Sequence, residues 1–277
     1  MLAEGWKVLP DIPEIRFSAG NHQYRVEGIK GAIPSVTTIL NNLNKPALLP
    51  WVAKITAEYV LKQWASGKEY SLEDIQDVYG KAKALHKQEA TKAGDIGTAI
   101  HGAVEQWAQY WAENGDDWNA FVKKEYKNPE YSWPAGTKRI GKRAFNSFLE
   151  WIEDSGIESI IGSEVRIYHP EVGYCGCLDL LCFKGGKVYV IDVKSGKTFY
   201  EPEQPMQIAA YAAAISRMLR LKVEGIGILR LDKETGVADW QDYSALQEEY
   251  WQMFLELCNF EIKKRKVRSL QKEEEKK

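Results

Sequence analysis

The spacing of apolar residues divides the chain into a helical first half and a mixed second half. Between residues 95 and 113, apolar side chains recur every three or four positions, which predicts an amphipathic helix. That stripe consists of Ile100, Ala103, Val104, Trp107 and Trp111. From residue 160 onward, runs and alternations of apolar residues indicate strands instead.

The predicted elements indicate an α/β fold. Before the strands, the pattern predicts a hairpin within 13–27, helices over 36–41 and 51–66, a helix opened by a capping box at 71–74, and helices over 95–113 and 139–155. After them come strands 160–168, 173–183 and 187–193, a helix over 205–219, strands 225–231 and 237–240, and a helix over 244–266. This order predicts a core spanning 93–266, with the N-terminal portion 1–92 laid over it and a charged tail at 267–277.

The segment from Cys177 to Lys194 predicts a tight β-hairpin. Gly185-Gly186 suits a two-residue turn, because a primed turn needs positive φ and glycine adopts it freely. Counting outward from that turn places Asp179 directly opposite Asp192. One face of the hairpin carries Leu178, Leu180, Cys182, Tyr189, Ile191 and Val193. The other carries Leu181, Phe183, Val188 and Val190 beside the aspartates, so the hairpin is expected to be central and buried.

A pair of buried carboxylates needs a counter-charge. Two aspartates do not ionise side by side in an apolar core, and a hard divalent cation is the natural remedy. Lys194 lies two residues after Asp192 and is expected on the same face. A metal site with a positioned amine indicates hydrolytic chemistry.

Composition adds limits but no strong signal. The 277 residues carry a net charge of −2 with pI ≈ 6.2, so any binding to nucleic acid has to come from local patches. The four cysteines lack zinc-site spacing and are expected to be reduced. Neither a membrane-spanning run nor a signal peptide is found, which predicts a soluble, cytoplasmic protein.

Other polar residues extend the candidate site. Glu164 lies on the preceding strand and offers a third carboxylate, while Gln207 and Tyr211 share one face of the following helix. His101 lies just outside the apolar stripe of its helix. Glu105, one turn later, is either a partner that orients His101 or a solvated glutamate.

Five motifs in order resemble the RecB-type branch of the PD-(D/E)xK nuclease superfamily. They are Gly97-x-x-x-His101, Glu164, Gly176-x-x-Asp179, Asp192-x-Lys194 and Gln207-x-x-x-Tyr211. Upstream, Tyr24-Arg25-Val26-x-Gly28 and the run from Pro34 to Leu40 resemble the opening of phage exonucleases and of the mitochondrial genome maintenance exonuclease. The resemblance implies a restriction-endonuclease-like mixed sheet, with the N-terminal portion guiding DNA over the active site. It also implies the cytoplasm of a bacterial or phage-infected cell as the location.

The resemblance also implies roles for these residues. Asp179 and Asp192 are expected to bind Mg²⁺ or Mn²⁺, together with His101 and the Val193 carbonyl. Lys194 is expected to orient the attacking water or neutralise charge on the phosphate, with Glu164 in support. Gln207 and Tyr211 are expected to hold DNA near the cleaved bond. Leu178 replaces the proline of the family pattern, which leaves the site intact.

Two cofactors are not expected. The cysteine layout that holds an iron–sulfur cluster in some relatives is missing, so no cluster is predicted. The run from Ser195 to Thr198 resembles the end of a P-loop, but isoleucine occupies position 191, where the motif needs glycine. No nucleotide cofactor is therefore predicted, and any helicase motor has to be a separate chain.

DNA contacts are predicted outside the metal site as well. The phosphate-contact candidates are Lys138, Arg139, Lys142 and Arg143, with the segment 263–268 as a further candidate. Trp51, Tyr59, Trp64 and Trp118 are interleaved with lysines, including Lys123, Lys124 and Lys127, and suit stacking of single-stranded bases, whereas Trp107 and Trp111 are expected in the core.

These features favour a DNA exonuclease that prefers single strands and acts in recombination, repair or replication. A helicase, a recombinase or a single-strand-binding protein is a candidate partner. The alternatives are a structure-specific or restriction-like endonuclease and a catalytically silent DNA-binding accessory protein.

Overall fold

The computed structural model describes residues 13–20, 23–64, 70–114 and 133–275. The N-terminal part contains strands β1 (Ile15–Ser18) and β2 (Gln23–Val26) and helices α1 (Val36–Leu40), α2 (Leu48–Trp64) and α3 (Leu72–Asn114). Helix α4 (Lys138–Asp154) leads into β3 (Ile157–His169), β4 (Tyr174–Lys184) and β5 (Lys187–Lys194). Helix α5 (Glu203–Leu219), strands β6 (Gly225–Leu231) and β7 (Ala238–Asp242), and helix α6 (Gln247–Glu274) complete the chain.

The core is a five-stranded mixed sheet in the order β3-β4-β5-β6-β7. Strands β5 and β6 run parallel, and the other neighbours are antiparallel. Apolar residues of α1, α5 and α6 cover one face of the sheet, and those of α3 and α4 cover the other. This α/β arrangement of a mixed sheet flanked by helices confirms the predicted fold class and is consistent with a restriction-endonuclease-like fold.

Local signals in the sequence act as predicted at the N-terminal end. Strands β1 and β2 pair as a hairpin, with Ile15 opposite Val26. Ser35 caps α1, because its hydroxyl accepts a hydrogen bond from the N–H of Thr38 (3.0 Å). The β1–β2 hairpin packs through Ile15, Tyr24 and Val26 against Tyr168 and Cys175 of the main sheet.

The helix predicted from the capping box and the helix predicted over 95–113 are one continuous helix. Ser71 and Asp74 form the predicted capping box, since the N–H of Ser71 donates to the Asp74 carboxylate (2.9 Å) and the Ser71 hydroxyl accepts from the N–H of Asp74 (3.1 Å). The helix that begins there, α3, runs for 43 residues. The prediction of two helices was wrong, because the glycine at 94 in the expected break is tolerated inside a helix. The 92/93 boundary between the predicted parts falls inside α3.

The C-terminal helix is also longer than predicted. It begins at Gln247, after a 3₁₀ turn at Ser244–Leu246, and continues to Glu274 rather than ending near residue 266. Residues 267–274 of the predicted charged tail are therefore helical, and they are exposed as expected. Within the described ranges, none of the helices is both long and apolar enough to cross a membrane.

The hairpin register is confirmed as far as Leu180–Ile191, one position short of the predicted Asp179–Asp192 pair. The predicted faces of Leu178 and Asp179 are wrong. The strands β4 and β5 pair in the predicted register from Lys184–Lys187 to Leu180–Ile191, and Gly185 and Gly186 have φ of 57° and 70°. Leu178 was expected beside Leu180 but packs with Leu181 on the α5 side. Side-chain alternation along β4 therefore shifts by one residue between Leu178 and Leu181, and Asp179 is directed toward α3.

Candidate active site

The site forms where β4 and β5 separate. Their pairing ends at Leu180–Ile191, one position before the two aspartates. Beyond that pair, the N–H of Val193 donates to Oδ2 of Asp179 at 2.6 Å. The carboxylate of Asp179 thus satisfies a backbone donor at the point where the regular pairing stops.

Three candidate ligands converge on one point beside β4. The pairs Ser163–Leu180 and Val165–Leu178 flank Glu164 and Asp179, so these two carboxylates lie opposite each other on neighbouring strands. Helix α3 places His101 against both, with Nδ1 3.3 Å from Oδ1 of Asp179 and 3.6 Å from Oε1 of Glu164. One ligand atom from each of the three residues lies within 4.8 Å of the others.

Glu164 is held in an unusual backbone conformation. Its φ is +47°, in the left-handed region that glutamate seldom adopts. Its Oε2 lies 3.3 Å from Sγ of Cys177, whose thiol acts as donor. Cys177 was not predicted as part of the site, although Cys177 and Asp179 are two residues apart and therefore lie on one side of β4.

Asp192 and Lys194 form the inner part of the site. Nζ of Lys194 lies 2.7 Å from Oδ2 of Asp192, and the Asp192 side chain is only 2% exposed. The Asp192 carboxylate is therefore buried, and the ammonium group of Lys194 is its neighbouring counter-charge.

The charges of these residues are strongly coupled. Burial lowers the pKa of His101, but Asp179 and hydrogen bonds to Asp179 and Glu164 raise it to about 10. Burial raises the pKa of Asp192 to about 6, with Lys194 opposing and Asp179 adding to the rise. Burial also opposes the charged form of Asp179, yet His101, Lys194 and the Val193 N–H hold its pKa below the usual value. Burial lowers the pKa of Lys194, but the charges of Asp192 and Asp179 outweigh burial and raise it above its usual value.

Gln207 and Tyr211 pack against the site from α5. Both are buried, and Nε2 of Gln207 donates to the hydroxyl of Tyr211 at 2.8 Å. Gly176 of β4 makes room for the tyrosine ring, because a Cβ atom at this position would lie 2.7 Å from Cε1 of Tyr211. Burial raises the pKa of Tyr211 well above its usual value, and the nearby negative charges of Asp192 and Asp179 add to the rise.

Arg230 fixes the loop that follows Lys194. It pairs with Lys194 across the parallel β5–β6 ladder. Its Nη1 donates to the carbonyl of Lys197 (3.1 Å) and to a carboxylate oxygen of Asp232 (3.0 Å). No sequence motif indicated this residue, because its partners come from separate segments of the chain.

Glu105 and the basic candidates lie farther out. The carboxylate of Glu105 accepts a hydrogen bond from Gln109 (3.1 Å), and burial followed by the charge of Glu164 raises its pKa. Lys138, Arg139 and Lys142 are exposed on α4, and Arg143 donates to the carbonyl of Glu234.

The aromatic candidates divide between surface and core. Trp51 and Trp64 are exposed on α2, whereas Trp107 and Trp111 are buried, as predicted. Trp118 and the lysines at 123, 124 and 127 lie outside the described residues.

The residues present fit a divalent cation. Carboxylate oxygens and an imidazole nitrogen are suitable ligands for Mg²⁺ or Mn²⁺. In the structure, His101, Glu164 and Asp179 form such a group, and the buried carboxylate of Asp192 lies on the neighbouring strand, paired with Lys194. Solvent reaches the site from the side of His101 and Glu164, whose side chains are 29% and 31% exposed.

Of the comparisons with known proteins, the family profile assigns the chain to a superfamily. A search of curated proteins found no match. Among solved structures, the crystal structure of a protein designated SSO0001 is similar, with 14% identity, a TM-score of 0.24, and coverage of 57% of this chain and 74% of that one. A sequence profile of the PD-(D/E)XK nuclease superfamily, whose members use divalent metals, matches residues 68–276. The chain belongs to the PD-(D/E)XK nuclease superfamily.

Proposed function

We propose that this chain is a metal-dependent DNA exonuclease of the RecB-type branch that hydrolyses phosphodiester bonds from DNA ends and favours single strands. The observation that carries the hydrolytic part is the position of two acid pairs on either side of Val193. Asp179 faces His101 and accepts from the Val193 N–H, and Asp192 pairs with Lys194. The order of the motifs from Gly97 to Tyr211 and the N-terminal opening support the exonuclease part.

His101, Asp179, Asp192 and the Val193 carbonyl would hold the cation. A bound Mg²⁺ or Mn²⁺ polarises the scissile phosphate and lowers the pKa of a bound water. Asp179 is positioned for its role by the Val193 N–H, which fixes one carboxylate oxygen while the other faces His101. Asp192 would contribute a buried carboxylate whose charge Lys194 offsets.

Lys194 remains an ammonium group at neutral pH, because Asp192 and Asp179 raise its pKa. Its proposed role is to orient the attacking water or to offset negative charge that develops on the phosphate oxygens. Glu164 borders the same space and would assist in placing that water.

DNA is proposed to reach this centre past α2 and α4. Exposed Trp51 and Trp64 on α2 suit stacking with single-stranded bases, which contributes about 1–3 kcal/mol per base. Lys138, Arg139 and Lys142 are exposed and suit phosphate contacts. Arg143 is also exposed and keeps its full charge, because its partner is a neutral carbonyl. Gln207 and Tyr211 are buried, so their contribution is proposed to be at the base of the site beside the cleaved bond.

End-labelled linear and circular DNA, each single- and double-stranded, test the proposal when incubated with Mg²⁺, Mn²⁺ or EDTA. We expect progressive shortening of linear DNA with either metal, faster on single strands, and no cleavage in EDTA. Asp192→Asn, which keeps the shape of the side chain, is expected to be inactive while retaining the wild-type unfolding temperature.

Each other outcome changes the conclusion. Cleavage of circular DNA would identify an endonuclease instead. A well-folded protein that binds DNA but cleaves none of the substrates with either metal would identify a DNA-binding accessory protein.

A further inference from the structure

The last turns of α6 extend away from the body of the protein. From Ile262 to Glu274, every residue except half-buried Lys264 is exposed. The helix is tied to the body just before this stretch, where Glu261 accepts a hydrogen bond from Nδ2 of Asn42 (3.0 Å). An isolated helix of this length is marginal in water, so this stretch is suited to stabilisation by a partner.

This stretch is strongly basic. Between Glu261 and Glu273 it contains Lys263, Lys264, Arg265, Lys266, Arg268 and Lys272, and we name Lys263–Lys272 the basic segment. Glu261 pairs with Lys264 (3.3 Å) and Arg265 (2.8 Å). Across the described ranges, no carboxylate lies within ion-pair distance of Lys263, Lys266 or Arg268. These cations are available to an external anion.

The arrangement of the cations favours a polyanion over an apolar partner. The exposed apolar residues form two rows, and a cation interrupts each: Lys266 lies between Ile262 and Leu270, and Lys263 lies between Phe260 and Val267. A helix that binds a membrane surface or forms a coiled coil needs a continuous apolar face. The basic segment has no uninterrupted apolar row.

The basic segment begins at the end of the sheet that carries the active site. Helix α5 starts shortly after the loop that follows Lys194, so its first residue, Glu203, lies at that end of the sheet. Lys45 pairs with Glu203 (2.9 Å), which places the connection between α1 and α2 at the same end. Asn42 belongs to this connection and holds Glu261, so the basic segment leaves the body there.

We propose that the basic segment holds the phosphate backbone of the DNA substrate outside the catalytic centre. This inference rests on the proposed function and adds a second, sequence-independent contact to it. Such a contact strengthens binding and makes it salt-dependent, because each neutralised phosphate releases counterions. It leaves the chemical step unchanged, since none of its cations borders the aspartates.

Two triple variants of the full chain test this contact. The first is Lys263→Gln, Lys266→Gln and Arg268→Gln. The matched control, Lys187→Gln, Arg220→Gln and Lys222→Gln, removes the same charge from exposed positions at the opposite end of the sheet, where β5 begins. Binding of a fluorescein-labelled single-stranded oligonucleotide is measured by anisotropy in EDTA over a range of KCl concentrations.

We expect the first variant to bind at least about tenfold more weakly. The slope of log K against log[KCl] is expected to become less negative by about 2, since each of the three single-strand contacts contributes about 0.7. The control is expected to match the wild type, and both variants are expected to keep the wild-type unfolding temperature and its cleavage rate at saturating DNA. Equal losses in both variants, or no loss in the first, would overturn the inference.

Further outcomes separate this inference from the proposed function. If the wild type cleaves DNA and the first variant binds it as tightly, the inference alone fails. If the wild type binds no DNA at any salt concentration, both fail. Binding of the wild type to anionic phosphatidylserine vesicles but not to DNA would assign the basic segment to a membrane and overturn the inference.

Discussion

His101 of α3 and Asp179 of β4 face each other as an ion pair, with Nδ1 of the imidazole 3.3 Å from Oδ1 of the carboxylate. The carboxylates beside His101 raise its pKa to about 10, so in the metal-free protein the imidazole is protonated at neutral pH. A metal ligand has to be the neutral imidazole, and a cation entering the site therefore displaces a proton.

Metal binding at pH 7 is expected to release about one proton from His101, and to weaken as pH falls below the pKa of His101. Calorimetric titration with Mn²⁺ in buffers of different ionisation enthalpy measures this release. His101→Ala is expected to abolish it and to reduce Mn²⁺ affinity by at least the roughly 10–100-fold that loss of an outer-shell partner costs. His86→Ala on the same helix is the control, and equal behaviour of the two variants would remove His101 from the ligand set.

Lys194→Ala is expected to reduce cleavage by about 10²–10³-fold, the usual cost of losing one charge-stabilising donor. DNA binding in EDTA is expected to change little, because Lys194 acts on the reacting phosphate alone. The cleavage rate at saturating DNA provides the measurement. Lys197→Ala removes an exposed lysine three residues later that pairs with Glu234 (2.8 Å), and this control is expected to retain activity. A fully active Lys194→Ala enzyme would disprove the assigned role.

Gly176→Ala is expected to destabilise the fold by about 1–3 kcal/mol, because the new methyl group collides with the ring of Tyr211. Displacement of the ring also breaks the hydrogen bond from Gln207, so cleavage is expected to fall as well. Urea unfolding and a cleavage assay measure the two effects. Gly80→Ala on α3, where a Cβ atom meets nothing within 4 Å, is the control and is expected to be neutral or slightly stabilising.

Glu261→Gln is expected to destabilise the protein in a pH-dependent way. Burial opposes the charge of Glu261, but hydrogen bonds from Arg265, Asn42 and Lys264 lower its pKa to about 2. Since the pKa in the folded state lies below the usual unfolded value of about 4.3, the charged form stabilises the fold above that value and loses its effect as pH falls toward 2. The expected cost at pH 7 is on the order of 1–2 kcal/mol.

Urea unfolding at pH 7 and pH 3 measures this difference. Glu256→Gln, at an exposed position of the same helix, serves as control and is expected to show no such pH dependence. A cost of Glu261→Gln that is equal at both pH values would contradict the electrostatic explanation.

The sequence was sufficient where local signals and strand register decide the structure. The Gly185-Gly186 turn set the register of β4 and β5, and the capping residues Ser35 and Ser71 marked the starts of helices. The order of strands and helices then predicted a mixed sheet with helices on both faces. His101 and Asp179 were assigned to one site from motif order, and the structure brings them together.

The remaining features depend on tertiary contacts that periodicity does not report. Strict alternation placed Leu178 and Asp179 on the wrong faces, because β5 pairs with β4 only from Leu180 onward, whereas β3 alone pairs with the preceding residues. The contact between Cys177 and Glu164 and the bonds from Arg230 to the loop after Lys194 join distant segments. The glycine at 94 indicated a break in α3 that packing of the helix overrides.

An anomalous difference map from crystals soaked in Mn²⁺ tests the proposed metal centre most directly. We expect a peak within bonding distance of His101, Asp179, Asp192 and the Val193 carbonyl, and no peak there for Asp192→Asn. Strong binding of Mn²⁺ elsewhere, with no Mn²⁺ bound to the Asp192 carboxylate, would contradict the account.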